Sequence, residues 1–498
     1  MNNFLDGLKN ATNIGYTENG AIKRNTTRSD LLDLFAIGGA MRNRSDADCI
    51  LMFQKAYAEN PTYALKCLFY LRDCRGGQGE RRFWRVCMKW LAENDPSAAL
   101  RVLPHVPEYG RWDDLYVFVG TALQNNALEL IKTQLALDVT CKTPSLLAKW
   151  LKSENASSHE TRRLAAITRD YLGMSHKQYR KTLSLLRGRI KIVETLMSQN
   201  RWDEIEFDKI PSKAGLIYKN AFARRDILKE KFIAFAKDKT TKVNAKTLYP
   251  YECVQEAHRE WNRPLSDAGR LMANKRWDCL ADYFNGASLN ALAVVDTSGS
   301  MTWHGPVYPI DVAISLGLYC AEKAKGPFAG HYISFASQPQ LIETAGVDFV
   351  DKVKRIYNTN LCDSTNIEGV FDLLLDTALA SNCGQSDLPE NIIIISDMEF
   401  NAAIRPNYRS SFTSFNTNNA ETLLEGIAKK WAAYGYKMPH LIFWNVEARQ
   451  NNIPMLGNGP ISYVSGFSPA IFETIMSGKT GYELMLEKLD SERYAPIQ

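Results

Sequence analysis

An α + α/β chain, helical first and doubly wound second, is the fold class the sequence predicts, and three observations predict it. Over residues 1–285 apolar residues recur at helical spacing, and strand-like alternation is scarce. Over residues 286–498 short apolar runs alternate with amphipathic stretches, the pattern of a mostly parallel sheet with crossover helices. The charge divides at the same place. Lys and Arg number 46 against 33 Asp and Glu in the first part, and 14 against 22 in the second, so +13 precedes −8 within a formal total of +5. Two domains are expected, 1–285 and 286–498. The first is an array of helical hairpins in the manner of an α-solenoid or ring, without a strict repeat.

Composition narrows the function classes. Hydrophobic content of 45% and charged content of 23% are those of an ordinary soluble globular protein. The segment Met1-Asn-Asn-Phe-Leu-Asp6 lacks a basic start and an apolar core, and no apolar run reaches the roughly 18–20 residues of a membrane span. A cytoplasmic protein without a membrane partner is expected. The ten cysteines are scattered, with no CxxC pair and no zinc spacing, and read as reduced thiols. The seven histidines are dispersed, with no HExxH and no G-x-S-x-G, so an enzyme is not expected.

Residues 1 to about 30 are polar and read as an arm or irregular segment. Helices are expected from Leu31 to Met41 and around Ile50–Tyr57. Further helices are expected at 63–74, 80–93, 97–104, 112–122, 126–135, 143–152, 160–171, 177–198, 212–222 and 223–237. After a break at Pro250, helical stretches resume over 252–261 and 265–284, and Asn285-Gly286 turns the chain into the second half. Arg111-Trp112-Asp113, Arg201-Trp202-Asp203 and Arg276-Trp277-Asp278 echo one another. Such Asp and Trp residues cap and plug interhelical turns. Alternatively, the Arg and Trp meet a phosphate and a base.

The basic residues cluster. Arg72, Arg75, Arg81 and Arg82 flank the glycine-rich turn Arg75-Gly-Gly-Gln-Gly79. That turn lacks the Gly-Lys-Ser/Thr of a P-loop and reads first as a helix-capping connection. Arg180 with Lys181, Arg187 with Arg189 and Lys191, and Arg224 with Arg225 follow. On one helix Arg180, Arg187 and Lys191 would share a face. Several such stripes within a part of charge +13 predict a groove for a nucleic-acid backbone.

Several motifs carry a family resemblance. Leu71-Arg-Asp-x-Arg-Gly-Gly-x-Gly-Glu-Arg81, Tyr109-Gly-Arg-Trp-Asp113, Ala148-Lys-Trp150, Tyr179-Arg-Lys181 and Arg201-Trp-Asp-Glu-Ile205 resemble the N-terminal region of TROVE-type proteins. This is the module of the Ro autoantigen, telomerase-associated and vault-associated proteins. The likeness extends in particular to a branch in microbes, phages and plants that fuses the region to a von Willebrand factor A (vWA) domain. It implies a HEAT-like helical ring that takes single-stranded RNA ends, and structured small non-coding RNA on its outer surface. The basic residues it offers to RNA are Arg72, Arg75, Arg81, Arg82, Arg111, Lys149, Arg180, Lys181, Arg187, Arg189, Lys191, Arg201, Arg224 and Arg225.

In the second half, Leu292-Ala-Val-Val295 is an apolar strand running into Asp296-Thr-Ser298-Gly-Ser300. Helices are expected at Ile310–Ala324, Val347–Tyr357, Ile367–Ala380, Ala420–Tyr434, 469–477 and 481–491. Strands are expected at Gly330–Phe335, Asn391–Asp397, His440–Asn445 and Ser462–Phe467. Open α/β sheets place ligands at the carboxyl ends of their strands. There Asp296, Ser298 and Ser300 present a carboxylate and two hydroxyls, Thr365 adds a hydroxyl, and Asp397 repeats the strand-then-carboxylate pattern. Hard oxygen donors of low charge suit Mg²⁺, or another divalent cation. The set resembles, residue by residue, the metal-ion-dependent adhesion site of vWA domains, Rossmann-like in fold. There a partner's Asp or Glu often fills the open coordination position. Met398 departs from that pattern, which often has Gly, and is expected to alter the loop without removing the ligand. His304, four residues past Ser300, reads as a surface loop residue. Hydroxyls near Mg²⁺ also suit phosphoryl transfer, but the carboxylates and the charge clamp of such enzymes are missing. The expected function is a Ro-like RNA-binding scaffold carrying Mg²⁺. The alternative is an adaptor that captures an acidic protein partner at the metal.

Overall fold

The apolar runs of the second half form one sheet in the computed structural model, which describes residues 3–190, 192–245, 248–259, 265–284, 290–302, 305, 307–335, 337–358, 365–401, 423–454, 461–475, 479 and 481–498. Strands β1 (Ile14–Tyr16) and β2 (Ile22–Arg24) make a separate hairpin. Strands β3 (Ala291–Val295), β4 (His331–Ser334), β5 (Gln340–Glu343), β6 (Asn391–Ser396), β7 (His440–Asn445) and β8 (Ile461–Ser465) form a six-stranded sheet of order β5-β4-β3-β6-β7-β8. All neighbours are parallel except β5, which runs antiparallel to β4. The helical region and this mixed sheet together give an α + α/β fold.

The chain divides into two units. One holds Met1–Cys67, Tyr249–Ser266 and Leu280–Ser491; the other holds Leu68–Leu248, Asp267–Cys279 and Glu492–Gln498. The division expected at 285/286 is therefore not the one packing makes. Helix Asp30–Ile37 shows why. Residues Leu31 to Ile37 are all buried, so the helix needs cover on every side. It lies against β8, where the Gly39 amide donates to Ser465 Oγ at 3.0 Å. A Cβ on Gly39 would sit 2.7 Å from the Ser465 carbonyl oxygen. The first thirty residues, expected to be irregular, contain helix Asn3–Thr12 and the β1–β2 hairpin.

In the sheet unit, every residue of β3 is buried, as the unbroken apolar run requires. Helix Pro309–Lys323 packs on β3 and is buried from Pro309 to Ala321. Pro309 opens it, where a missing N–H costs nothing. Gly317 lets it approach, since a Cβ there would meet Val295 Cγ2 at 2.2 Å. Helix Ile367–Ala380 begins where the Asn366 side chain accepts the Gly369 N–H at 3.0 Å. Strand β5 escapes sequence reading because it is an exposed edge without alternation. No helix among the described residues is long and apolar enough to cross a membrane.

In the helical unit the expected segments appear, with these changes. The stretch 112–122 is a 3₁₀ turn at Trp112–Phe118, 143–152 shortens to helix Leu147–Trp150, and 177–198 splits into helices His176–Arg189 and Val193–Ser198. The first change follows from Asp114, whose carboxylate folds back on the Arg111 N–H at 2.9 Å and tightens the turn. Phe207, Phe222 and Phe232 centre one core, with ring centroids 5.2–5.4 Å apart from Phe207 to the other two.

The glycine-rich turn is a seat for the C-terminal segment. Asp73, fully buried, accepts from Arg493 Nη2 at 2.8 Å and from the Tyr494 hydroxyl at 3.1 Å. The Tyr494 and Tyr109 rings stack 5.8 Å apart. Gly77 has no room for a side chain, since a Cβ would lie 2.1 Å from the Tyr70 carbonyl oxygen. Gly77→Ala is expected to destabilise by about 3 kcal/mol or more through overpacking against backbone. Gly188→Ala, in an open helical position, should stabilise by about 0.5–1 kcal/mol. Thermal denaturation of the two variants checks the contrast.

Candidate metal centre and nucleic-acid interface

Strands β3 and β6 are paired in register, from Val295 with Ile395 back to Ala291 with Asn391, so the residues after them emerge side by side. Asp296 donates its N–H to the Ile395 carbonyl at 3.0 Å and turns its carboxylate into the sheet edge. Its Oδ1 accepts the Ser298 N–H at 2.9 Å, and its Oδ2 accepts the Ser396 hydroxyl. The Ser298 and Ser300 hydroxyl oxygens stand 3.0 Å apart, and the Ser300 hydroxyl bonds Asp397. The Thr365 carbonyl accepts the Asn401 N–H at 3.2 Å, which ties its segment to the chain leaving β6. Hydrogen bonds thus join Asp296, Ser298, Ser300 and Asp397 along one edge, and Thr365 is fastened to the loop that follows Asp397.

The electrostatics of this edge are unusual. Asp296 and Asp397 are both essentially inaccessible. Burial and the neighbouring Asp397 charge push the Asp296 carboxyl up to about 7. Burial also raises Asp397, against the pull of Arg449. Two buried carboxyl groups held together favour any cation that joins them. The Thr365 hydroxyl is buried and has no hydrogen-bond partner among the described residues. Two carboxylates and three hydroxyls fit the hard-oxygen donor set of Mg²⁺. No group of three or more His, Cys, Asp or Glu that could hold a metal occurs among the described residues, so hydroxyls are needed to complete any site here. Met398 has φ +65, the left-handed turn that glycine would favour, with its side chain buried. His304 lies outside the described residues, as do Cys362, Asp363 and Ser364.

Three residues of this edge were not singled out in the sequence. Ser396 stands inside Ile395-Ser-Asp397 and fixes Asp296. Arg449, just past β7, donates from Nη2 to Asp397 Oδ2 at 2.9 Å. Glu18, on the β1–β2 hairpin, pairs with Arg449 Nη1 at 2.8 Å. Only Ser396 had a local signal, a hydroxyl at the end of an apolar strand.

In the helical unit the expected basic residues separate by what they touch. Arg72 is buried, and its Nε and Nη2 donate to Asp114 at 2.9 and 2.6 Å, so it holds the fold and does not face a phosphate. Arg187 donates to the Ala148 and Leu151 carbonyls at 2.8 and 2.9 Å and to Ser153 Oγ at 3.0 Å. Arg189 donates to the Asp138, Val139 and Cys141 carbonyls and closes the end of helix Gln124–Thr140. These three are corrections, because the carbonyls and Asp114 take their donors. The expected common face of Arg180, Arg187 and Lys191 dissolves with them, and Lys191 lies outside the described residues. Arg75 reaches the Glu108 carbonyl, and Arg201 pairs with Glu204. Arg81, Arg180, Lys181 and Arg224 are exposed, and Arg82 is half-buried. Arg225 lies over the Trp202 ring at 4.7 Å.

Arg111 and Lys149 meet at a cavity of about 790 Å³, which is also lined by Trp150, Lys152, Arg187 and Lys213. Arg111 lies 4.5 Å and Lys149 5.8 Å from the Trp150 ring centroid. Asp113 and Glu194 are the acidic residues of its wall. Asp113 is paired with Arg85 and Lys152, each at 3.3 Å.

The comparisons with known proteins divide the chain between residues 286 and 290. A domain of unknown function (DUF2828) matches residues 17–145 and 136–286, and another (DUF7788) matches 290–494. An uncharacterized protein of Acanthamoeba polyphaga mimivirus is 30% identical over 512 residues, covering 94% of this chain and 85% of that protein. The crystal structure of the Deinococcus radiodurans Ro (RSR) protein aligns with 93% of this chain and 96% of its own, at 12% identity and a TM-score of 0.38. That likeness is too distant to carry fold or function across. The mimivirus relative and the match over residues 17–286 place the chain by themselves: it belongs to the DUF2828 family.

Proposed function

We propose that this chain is an RNA-binding scaffold that takes single-stranded RNA, or the single-stranded end of a structured small non-coding RNA, in the cavity beside Trp150. The observation that carries the reading is the composition of that cavity's wall. Arg111, Lys149, Lys152 and Lys213 face Asp113 and Glu194 around an indole. Unpaired nucleotides offer the matching chemistry, phosphates for the cations and a base face for the ring. The +13 charge of residues 1–285 supports it, because such a charge draws polyanions. The helical ring or solenoid, the Ro kinship, the vWA identity of the sheet and a cytoplasmic location belong to the same proposal. No catalytic step is part of it.

Filter binding of a single-stranded oligoribonucleotide at several salt concentrations tests it. Three to five phosphate contacts predict a log–log salt slope of about −2 to −3.5. A slope near zero, or affinity no better than for a neutral polymer, overturns it.

A second reading has its own observation. The buried Thr365 hydroxyl, without a partner among the described residues, favours a divalent cation that draws Asp296, Ser298, Ser300, Thr365 and Asp397 together. When bound, such an ion supplies positive charge and an open coordination position, to which an acidic side chain of a protein partner would bind. An unsatisfied buried hydroxyl costs about 1–3 kcal/mol. Thr365→Val should therefore leave the EDTA-treated protein as stable as the parent or more so, yet abolish most of the rise in Tm on adding Mg²⁺. Equal Mg²⁺ shifts in parent and variant would remove Thr365 from the site.

A further inference from the structure

Arg449 stands where a cation is wanted. Its Nη2 lies 2.9 Å from Asp397 Oδ2, inside the edge assigned above to a divalent ion, and its Nη1 lies 2.8 Å from Glu18 Oε2. Its Nε is buried and makes no hydrogen bond among the described residues. Arg187, which holds the fold, places its donors on two carbonyls and a hydroxyl. Arg449 instead divides between a buried carboxylate and a half-exposed one and leaves its third direction unused. Two carboxylates, one buried and one half-exposed, therefore compete for one guanidinium.

Glu18 is not a loose surface residue. The Glu18 N–H donates to Glu399 Oε2 at 2.7 Å, and the Thr17 hydroxyl donates to the Phe400 carbonyl at 2.6 Å. On the other arm of the hairpin, Arg24 and Ile453 exchange backbone hydrogen bonds of 2.8 and 3.0 Å. Lys23 Nζ donates to the Asn451 carbonyl at 2.9 Å. The hairpin is thus fastened to the loops after β6 and β7 on either side of the Glu18 carboxylate. Glu18 is held one guanidinium away from Asp397.

We propose that Arg449 is the resident counter-charge of the Asp296 and Asp397 pair, and that a divalent cation enters by displacing Arg449 from Asp397 onto Glu18. Arg449 then sets the affinity of the site for the ion, and Glu18 couples occupancy to the N-terminal hairpin. A fixed guanidinium beside Asp397 competes with the incoming ion for the same oxygen and lowers the net negative charge it meets. The competing hydrogen bond is charge-assisted and therefore strong. This inference rests on the divalent-cation reading of the site.

Calorimetric titration of the full chain with MgCl₂ and with MnCl₂ tests it, using the parent, Arg449→Gln, Glu18→Gln and Asp296→Asn. Arg449→Gln should bind the ion at least tenfold more tightly than the parent. Glu18→Gln should bind several-fold more weakly, since the displaced guanidinium loses its acceptor. In the parent, but not in Glu18→Gln, the ion should slow hydrogen exchange of the amides of residues 14–24. Binding by the parent with Arg449→Gln equal or weaker would overturn the inference and leave the cation site standing. If Arg449→Gln does not fold, the Glu18→Gln titration decides, and unchanged affinity there overturns the inference. No binding by either the parent or Glu18→Gln, with Asp296→Asn no different, overturns the cation reading and this inference together.

Discussion

Asp114→Ala is expected to remove about 3–5 kcal/mol from the stability of the helical unit, a large part of what a domain possesses. Asp114 is fully buried and gathers four hydrogen bonds from three residues. Arg72 reaches Oδ2 through Nε and Nη2 at 2.9 and 2.6 Å, Arg85 Nε reaches Oδ1 at 2.8 Å, and the Arg111 N–H reaches Oδ2 at 2.9 Å. Removing the carboxylate leaves the Arg72 guanidinium buried, charged and unpaired, because its side chain is only 3% exposed. That stranded charge, more than the lost attraction, is the source of the cost. Chemical denaturation should show an early transition in Asp114→Ala. Asp170→Ala removes an exposed pair with Arg169 and should shift stability by no more than about 1 kcal/mol. Equal effects at the two positions would show that Arg72 reaches water in the native state.

The same carboxylate predicts a pH dependence. Burial alone would raise the Asp114 pKa, but the Arg72 and Arg85 guanidinia outweigh burial and hold it below the ordinary value. A depressed folded-state pKa means that the stabilisation is fully present above the unfolded value of about 3.9 and is lost as pH falls through the folded one. The stability gap between parent and Asp114→Ala should therefore be constant near neutrality and narrow below about pH 4.

What was legible in the sequence was local. Helix Ile367–Ala380 and strand β7 lie at their expected residues, because an apolar face and an unbroken apolar run are properties of consecutive residues. Asp296, Ser298, Ser300 and Asp397 were legible for the same reason, since each follows an apolar strand directly, and β3 and β6 pair. Arg449 and Glu18 were not. They meet across more than 400 positions, through a three-residue-stranded hairpin too short to show a period. The basic residues illustrate the other limit. Charge is visible in a sequence, but a partner is not. Nothing near Arg72 announced that Asp114, 42 positions on, would absorb it, nor near Arg187 that the Ala148 and Leu151 carbonyls would. Packing decides which arginines hold the fold and which remain for a ligand. By that sorting, Arg111 and Lys149 pass from a long roll of candidates to the wall of one cavity.

The sorted pair sets the second large effect. Combining Arg111→Ala, Lys149→Ala and Trp150→Ala should weaken binding of a single-stranded oligoribonucleotide a hundredfold or more. A base stacked on an aromatic ring contributes about 1–3 kcal/mol, and a hydrogen bond to a charged group about 1.5–3 kcal/mol. One stack and two cations lost together exceed the roughly 2.7 kcal/mol that a hundredfold represents, even after allowing for non-additivity among neighbours. The three side chains are half-exposed and carry no buried core, so the melting transition should stay close to the parent's. The single variants separate the chemistry. Trp150→Ala should lower affinity without changing the salt slope, whereas Arg111→Ala and Lys149→Ala should each make the slope shallower by about 0.7. Arg72→Lys makes a fitting contrast: it disturbs a buried bidentate pair and should show its loss in stability, with the salt slope unmoved. If the triple variant binds RNA as the parent does, the cavity beside Trp150 is not the RNA site, and the cations left exposed elsewhere, Arg180, Lys181 and Arg224 among them, become the next to test.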